Sequence, residues 1–184
     1  MTGVCLIVVD GINSFFDPEG PDYYPEVEAT VSPIQALLER ARRNQVLRVH
    51  AVERHRPGLG DYEWRRLPVH NLIGSRDAEI FAAFAGPANE LEFEVSKRRF
   101  SAFFATDLAL MLHEQDVDTV IVAGVKTNVC IRATAQDAFA NGFSVVIPRE
   151  ATNSNRPHLA AASLEDIGRY MGQVVSLQEA LELL

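Results

Sequence analysis

Apolar runs and helical stripes alternate along the whole chain. Val4-Cys5-Leu6-Ile7-Val8-Val9 is unbroken and ends at Asp10, the pattern of a strand covered on both faces. Val46 to Val52 alternates and predicts a second strand, Leu91 to Val95 a third ending just before Lys97, and Thr119 to Ala123 a fourth stopping at Gly124. Phe143 to Ile147 predicts a fifth strand and Val174-Val175 a short sixth. Helical patterns fill the intervals. Ser32 is placed as N-cap with Pro33 at the first helical position, and Ile34, Leu37, Leu38 and Ala41 make the apolar stripe. A short helix is predicted over 77–84, another from a Thr106 cap through Gln115, and one from Asn128 to Asn141 with Gly142 as its stop. A further helix spans 157–171, and a capping box formed by Ser176 and Glu179 opens a last one over 177–183. This alternation predicts an α/β fold: a doubly wound, mostly parallel six-stranded sheet with helices on both faces, Rossmann-like in layout.

Composition narrows the function classes. The 184 residues are 47% hydrophobic and 23% charged, an ordinary globular mix. No repeat, low-complexity tract or linker divides them, so 1–184 reads as a single domain. A net charge of −8 opposes binding to a nucleic-acid backbone or an anionic membrane, both of which need a basic face. Two cysteines make neither a disulfide framework nor a Cys₄ metal site. No apolar run approaches the ~20 residues that cross a bilayer. Met1-Thr2-Gly3-Val4-Cys5 passes straight into a strand without a leader pattern, so a soluble, cytoplasmic setting is expected.

In an open parallel sheet, ligands sit beyond the carboxyl ends of the strands. Three reactive residues fall there: Asp10 after the first strand, Lys97 after the third, and Cys130 six residues past Gly124. Each alone has an ordinary use: a turn aspartate, a lysine in a basic surface run, a cysteine as core filler like Cys5. Together they supply a nucleophile, a base and a cationic orienter. Cys130 falls in the first turn of its predicted helix, where free N–H groups and a nearby ammonium favour a thiolate. A carboxylate can take the thiol proton and return it to a leaving amine, and N–H groups of the loop 125–130 can hold an oxyanion. No G-x-G-x-x-G, Walker-type loop or G-x-S-x-G elbow is present, which leaves nucleotide use and a serine nucleophile unsupported.

At these residues the chain resembles the isochorismatase-like cysteine hydrolases, which include nicotinamidases, N-carbamoylsarcosine amidases and ureidoacrylate amidohydrolases. The resemblance runs nearly the full length. It is carried by Leu6-Ile7-Val8-Val9-Asp10 with Asn13 and Phe15, by Lys97-Arg98-Arg99-Phe100-Ser101-Ala102-Phe103 with Thr106-Asp107-Leu108, and by Ala123-Gly124-Val125-Lys126-Thr127-Asn128-Val129-Cys130. It implies an Asp10–Lys97–Cys130 triad, a cis Val125–Lys126 peptide bond and an oxyanion hole from the N–H groups of Lys126 and Cys130. Cys130 speaks against vinyl-ether hydrolysis, since family members with that activity usually lack the nucleophile. The first motif reads Asp10-Gly11-Ile12-Asn13-Ser14-Phe15 where Asp-Met-Gln-Asn-Asp-Phe is common.

The resemblance also aligns Glu53-Arg54-His55 and Leu67-Pro68-Val69-His70 with the metal-binding segments of nicotinamidases. Glu53, His55 and His70 make a donor set suited to Zn²⁺ or Fe²⁺, although Glu replaces Asp and Arg54 and Arg56 flank His55; the other possibility is a polar loop. The 23-residue segment 53–75 is long enough for a lid or binding loop. With Arg54, Arg56, Arg65, Arg66 and neighbouring Arg76 it is expected to clamp a substrate carboxylate, and its Arg56-to-Tyr62 stretch looks closer to the ureidoacrylate-amidohydrolase side of the family. Asn13, Phe15, Trp64 and Phe104 are expected to wall the substrate pocket.

The expected activity is hydrolysis of an amide or carbamoyl/ureido C–N bond of a small molecule through a thioester, with no cofactor required. A metal-assisted nicotinamidase is the alternative enzyme, and a non-catalytic scaffold or binding subunit is the alternative class. Family resemblance implies a homo-oligomer, to which the apolar Ala180-to-Leu184 end and the Phe100-to-Phe104 cluster would contribute.

Overall fold

A computed structural model describes residues 3–86 and 89–184. Met1 and Thr2, part of the leader reading, lie outside the described residues. Among the described residues, seven strands form one sheet: β1 (Gly3–Val9), β2 (Leu47–Glu53), β3 (Glu92–Lys97), β4 (Val117–Val125), β5 (Ser144–Pro148), β6 (Thr152–Asn153) and β7 (Gln173–Val175). Their order is β3-β2-β1-β4-β5-β7, with β6 beside β4, and every pairing is parallel. The expected six strands become seven because β6 pairs beside β4 at Gly124 and Val125. A two-residue strand carries no readable periodicity.

The unbroken apolar run of β1 divides between two cores, as side chains of a strand alternate. Cys5, Ile7 and Val9 face one layer, with helices α3 (Leu108–Glu114), α4 (Arg132–Ala140) and α5 (Pro157–Tyr170) supplying Leu108, Leu112, Ala135, Ala138 and Ile167. Leu6 and Val8 face the other, with Ile34, Leu37, Leu38 and Ala41 of a helix over Val31–Arg43 and Ala180 of a last helix over Leu177–Leu183. Burial of each such aliphatic side chain stabilises the fold by roughly 1.5–3 kcal/mol.

Local signals hold at some ends and shift at others. The Ser176–Glu179 capping box forms, and Gly142 ends α4 with φ +88°. The helix expected to begin at Ser32-Pro33 starts at Val31 instead, because a 3₁₀ turn over Pro25–Thr30 runs directly into it. Pro33 still lies among the first four residues, whose N–H groups need no helical acceptor. Residues 77–84 do not form the expected helix. Only Arg76–Ala78 make a 3₁₀ turn, after which Ile80 bridges Ile12 and Phe81 and Phe84 pack on Phe16. No described helix is long and apolar enough to cross a membrane.

Register aligns the strand ends. Val9 pairs with Gly124, and Glu53 pairs with Lys97. The strand order reverses between β1 and β4, so the crevice there opens at the topological switch point. At the opposite end, Glu92 accepts from Arg42 (2.6 Å), Arg48 (3.0 Å) and His50 (2.9 Å). Burial pushes its carboxyl up, but the hydrogen bonds from His50, Arg42 and Arg48 outweigh that and hold it well below the usual range. A depressed folded pKa contributes stability above the unfolded value, lost as pH falls through the folded one. Glu92→Gln is therefore expected to lower unfolding free energy at pH 7 by about 3 kcal/mol. In urea titrations, the gap from the parent protein narrows once pH falls below about 4.

Candidate active site

Asp10 is the first residue past β1 and adopts φ +52°, a left-handed conformation that Asp tolerates better than most residues. Its Oδ1 accepts the Glu53 N–H at 2.9 Å and its Oδ2 accepts Lys97 Nζ at 2.8 Å. Lys97 is the last residue of β3 rather than a residue beyond it. Its Nζ also reaches the Arg99 carbonyl at 3.3 Å and Cys130 Sγ at 3.8 Å. Both Asp10 and Lys97 are fully buried. One ammonium thus spans the first-strand carboxylate and the sulfur.

Cys130 arrives by a different local route from the expected helix. Gly124 has φ +113°, and a Cβ there would meet the Val9 carbonyl at 2.0 Å, so only glycine permits the β1–β4 approach. The Val125–Lys126 peptide is cis. A π-helical turn over Thr127–Ile131 follows and carries Cys130 ahead of α4. Thr127 and Thr152 hydroxyls, 2.8 Å apart, tie this turn to β6.

The electrostatics favour a protonated sulfur at rest. Burial pushes the Cys130 thiol well up; Lys97 opposes this, while Asp10 and Glu53 add to it. Burial likewise raises Asp10, against the pull of Lys97. Burial opposes the charge on Lys97, but Asp10, Cys130 and Glu53 more than compensate and hold its ammonium well up. The resting thiolate expected from a helix N-terminus and one lysine meets two carboxylates and near-complete burial instead.

Cys130 opens onto a cavity of about 700 Å³, within the size range of small-molecule sites. Phe15, Phe100, Lys126 and His70 share its wall, while Asp10 and Lys97 lie behind the sulfur. Three expected wall residues stand elsewhere. Asn13 donates to the Arg76 carbonyl at 2.9 Å, Trp64 packs against the His55 ring at 5.7 Å, and Phe104 borders a separate hollow with Arg54 and Arg56. The expected arginine clamp is also absent from this cavity. Arg54 pairs with Glu94 at 2.6 Å, Arg65 lies over Tyr62, Arg76 pairs with Asp17, and Arg66 is exposed. The wall carries Lys126 and Arg132 instead. Neither side chain stood out in the sequence, where Lys126 mattered only for its backbone.

Glu53, His55 and His70 do converge, joined by Glu63, with one donor atom from each lying within 4.8 Å of the others. Sequence reasoning missed Glu63, whose place depends on the 3₁₀ turn Glu63–Arg65. His55 Nδ1 faces Asp61 at 2.9 Å, and His70 Nδ1 faces the Pro68 carbonyl at 2.7 Å. Both Nε2 atoms therefore point toward the Glu53 carboxylate, at 3.7 and 3.5 Å. Glu53 Oε1, His55 Nε2 and both Glu63 oxygens are buried without a hydrogen-bond partner, a donor set that fits a divalent cation. Without one, burial and the Glu53 charge push Glu63 up to about 7, and the Glu53 hydrogen bond raises His70 to about 9. Arg98 and Arg99 reach Asp61 at 2.8 and 3.0 Å, and Arg99 also lies 3.7 Å from Glu63 Oε1.

The parallel doubly wound sheet brings a buried Asp–Lys pair and a cysteine together at its switch point. The sequence matches the isochorismatase domain over residues 4–179, and the chain belongs to the isochorismatase family of hydrolases. It is 38% identical to the maleamate amidohydrolase of Pseudomonas putida, over 97% of this chain and 85% of that protein. The crystal structure of an isochorismatase-like hydrolase from Alkaliphilus metalliredigens superposes with a TM-score of 0.90 at 30% identity, covering 98% of each chain. A pyrazinamidase of Pyrococcus horikoshii in complex with zinc gives 0.83 at 28% identity, covering 94% of this chain and 98% of that one.

The two thiols are placed to react differently. Cys5 is sealed in the core, and burial pushes its thiol up, whereas Cys130 faces the cavity. Iodoacetamide is expected to label Cys130 before Cys5 in the folded protein. Its rate rises with pH through 7–9 without a plateau, because the thiol titrates well above its usual value. Peptide mass spectrometry on quenched samples reads both outcomes.

Proposed function

We propose that the protein is a cysteine amidohydrolase acting on a small-molecule amide or carbamoyl compound. The observation that carries this reading is the single Lys97 ammonium, 2.8 Å from Asp10 and 3.8 Å from Cys130, behind an open cavity. Asp10 takes the thiol proton as Cys130 Sγ attacks the carbonyl carbon. The backbone N–H groups of Lys126 and Cys130 receive the oxyanion. Asp10 gives its proton to the departing ammonia or amine, leaving a thioester on Cys130. Water then loses a proton to Asp10, adds to the thioester and releases the acid, with the proton returning to sulfur. Lys97 stays charged and holds the two partners in position. The amide named for the Pseudomonas putida relative supports this substrate class.

Cys130→Ala is expected to reduce ammonia release by about 10⁴-fold or more, and Asp10→Asn to come close to it, because residues acting as one unit fail together. The assay pairs maleamate, an N-carbamoyl amino acid and nicotinamide with each variant. Full-speed turnover by Cys130→Ala on all of them would overturn the reading.

The His-carboxylate cluster favours a second, metal-assisted reading. Glu53, His55, Glu63 and His70 would hold a divalent ion, which when bound supplies a Lewis acid at the cavity edge. Glu63 would be the fourth donor. Zn²⁺ is expected to bind one per chain in equilibrium dialysis. Glu63→Gln and His55→Ala each weaken it by more than about 10-fold, while Cys130→Ala does not. Equal uptake by all three variants would remove the cluster from consideration.

A further inference from the structure

Charged groups near the sulfur are nearly all engaged. Lys97 is paired with Asp10, and Arg132 reaches Asp166 at 3.0 Å and Gln136 at 3.5 Å. Glu53 faces His70 and accepts from Asn71, while Asp22 accepts from Ser14 at 3.1 Å. Lys126 differs. Its Nζ lies 5.4 Å from the centre of the Phe15 ring and 5.6 Å from that of Tyr24. Among the described residues no carboxylate or hydrogen-bond acceptor meets it. The ammonium is half-buried in the cavity wall with its donors unspent.

We propose that the Lys126 side chain is the specificity-determining group of the site and receives a carboxylate carried by the substrate itself. This rests on the cysteine-amidohydrolase reading, and it narrows the substrate to a short molecule with a primary amide or carbamoyl group at one end and a carboxylate at the other. The residue whose N–H would hold the scissile carbonyl then carries, on its own side chain, the cation that holds the far end. The two anchoring points are joined by one four-carbon stem, which limits the span between the substrate's two groups. Ring faces of Phe15 and Tyr24 support the ammonium without neutralising it, since a cation over a π-face keeps its full charge for an incoming anion. Asp137 and Asp22 also border the cavity and would disfavour an anion placed against them, while Arg132 is held by Asp166 and His70 faces Glu53, which leaves Lys126 as the unpaired cation for the carboxylate.

The test uses succinamate and succinamide, which differ only in the group opposite the scissile amide. Binding is measured by calorimetry on full-length Cys130→Ala protein, so no turnover is needed. Succinamate is expected to bind at least about tenfold tighter than succinamide, the scale of one charge-assisted hydrogen bond. Adding Lys126→Met removes that preference, and Lys126→Arg keeps it. Thermal unfolding of each variant confirms that the fold is intact. Equal affinity for the two probes, no detectable succinamate binding, or equal weakening of both by Lys126→Met would each overturn the assignment. The amidohydrolase reading is judged separately, by ammonia release from the parent protein against Cys130→Ala, and does not depend on which probe binds tighter.

Discussion

A lysine ammonium with no exposed surface is among the costliest things a protein interior can hold, and Lys97 is tolerable only because Asp10 meets it at 2.8 Å. The pair ties the carboxyl ends of β1 and β3 together across β2, which lies between them. Its other contacts follow from that requirement. Asp10 spends its second oxygen on the Glu53 N–H, and Lys97 spends further donors on the Arg99 carbonyl and the Cys130 sulfur. A strand slipped by one residue would turn either side chain to the opposite face and strand a buried charge. The register that forms the cores is thus the register that the ion pair demands.

Glu53 joins this arrangement to the neighbouring cluster. Its backbone holds Asp10, while its carboxylate faces His55 and His70. The end of one strand therefore serves two constellations through two different parts of one residue. Asp61 supports the second from behind, accepting from Arg98 and Arg99, the residues that directly follow Lys97. A metal at the cluster would act on the same cavity into which the sulfur opens, since Glu53 and His70 border both.

Much of this was legible because it depends on the ends of strongly patterned elements. Asp10, Lys97 and Cys130 could be picked out as residues at strand ends, and Glu53, His55 and His70 by their alignment with known segments. What escaped depends on irregular backbone. β6 is too short for a pattern, Phe81 and Phe84 turned a helical spacing into a packed loop, and Glu63 reaches its cluster through a 3₁₀ turn inside an unpatterned segment. The arginines were misplaced for a related reason. Their density suggests a clamp, but a loop's course decides where each guanidinium points, and here carboxylates and a carbonyl take Arg54 and Arg76.

That misplacement bears on how an acidic chain can select an anion. A net charge of −8 repels a carboxylate at long range, but exposed charges farther apart than about 8 Å are largely screened at physiological salt. Inside a half-enclosed cavity the effective dielectric is lower, and one nearby unpaired ammonium outweighs many screened surface charges. The exposed arginines of the 53–75 segment, wet and partly paired, lack that advantage even in number. Lys126 has it unpaired, because two aromatic rings exclude water from part of its surroundings without taking its charge. Selectivity then depends on which cation is left unpaired beside the sulfur, rather than on how many the sequence contains.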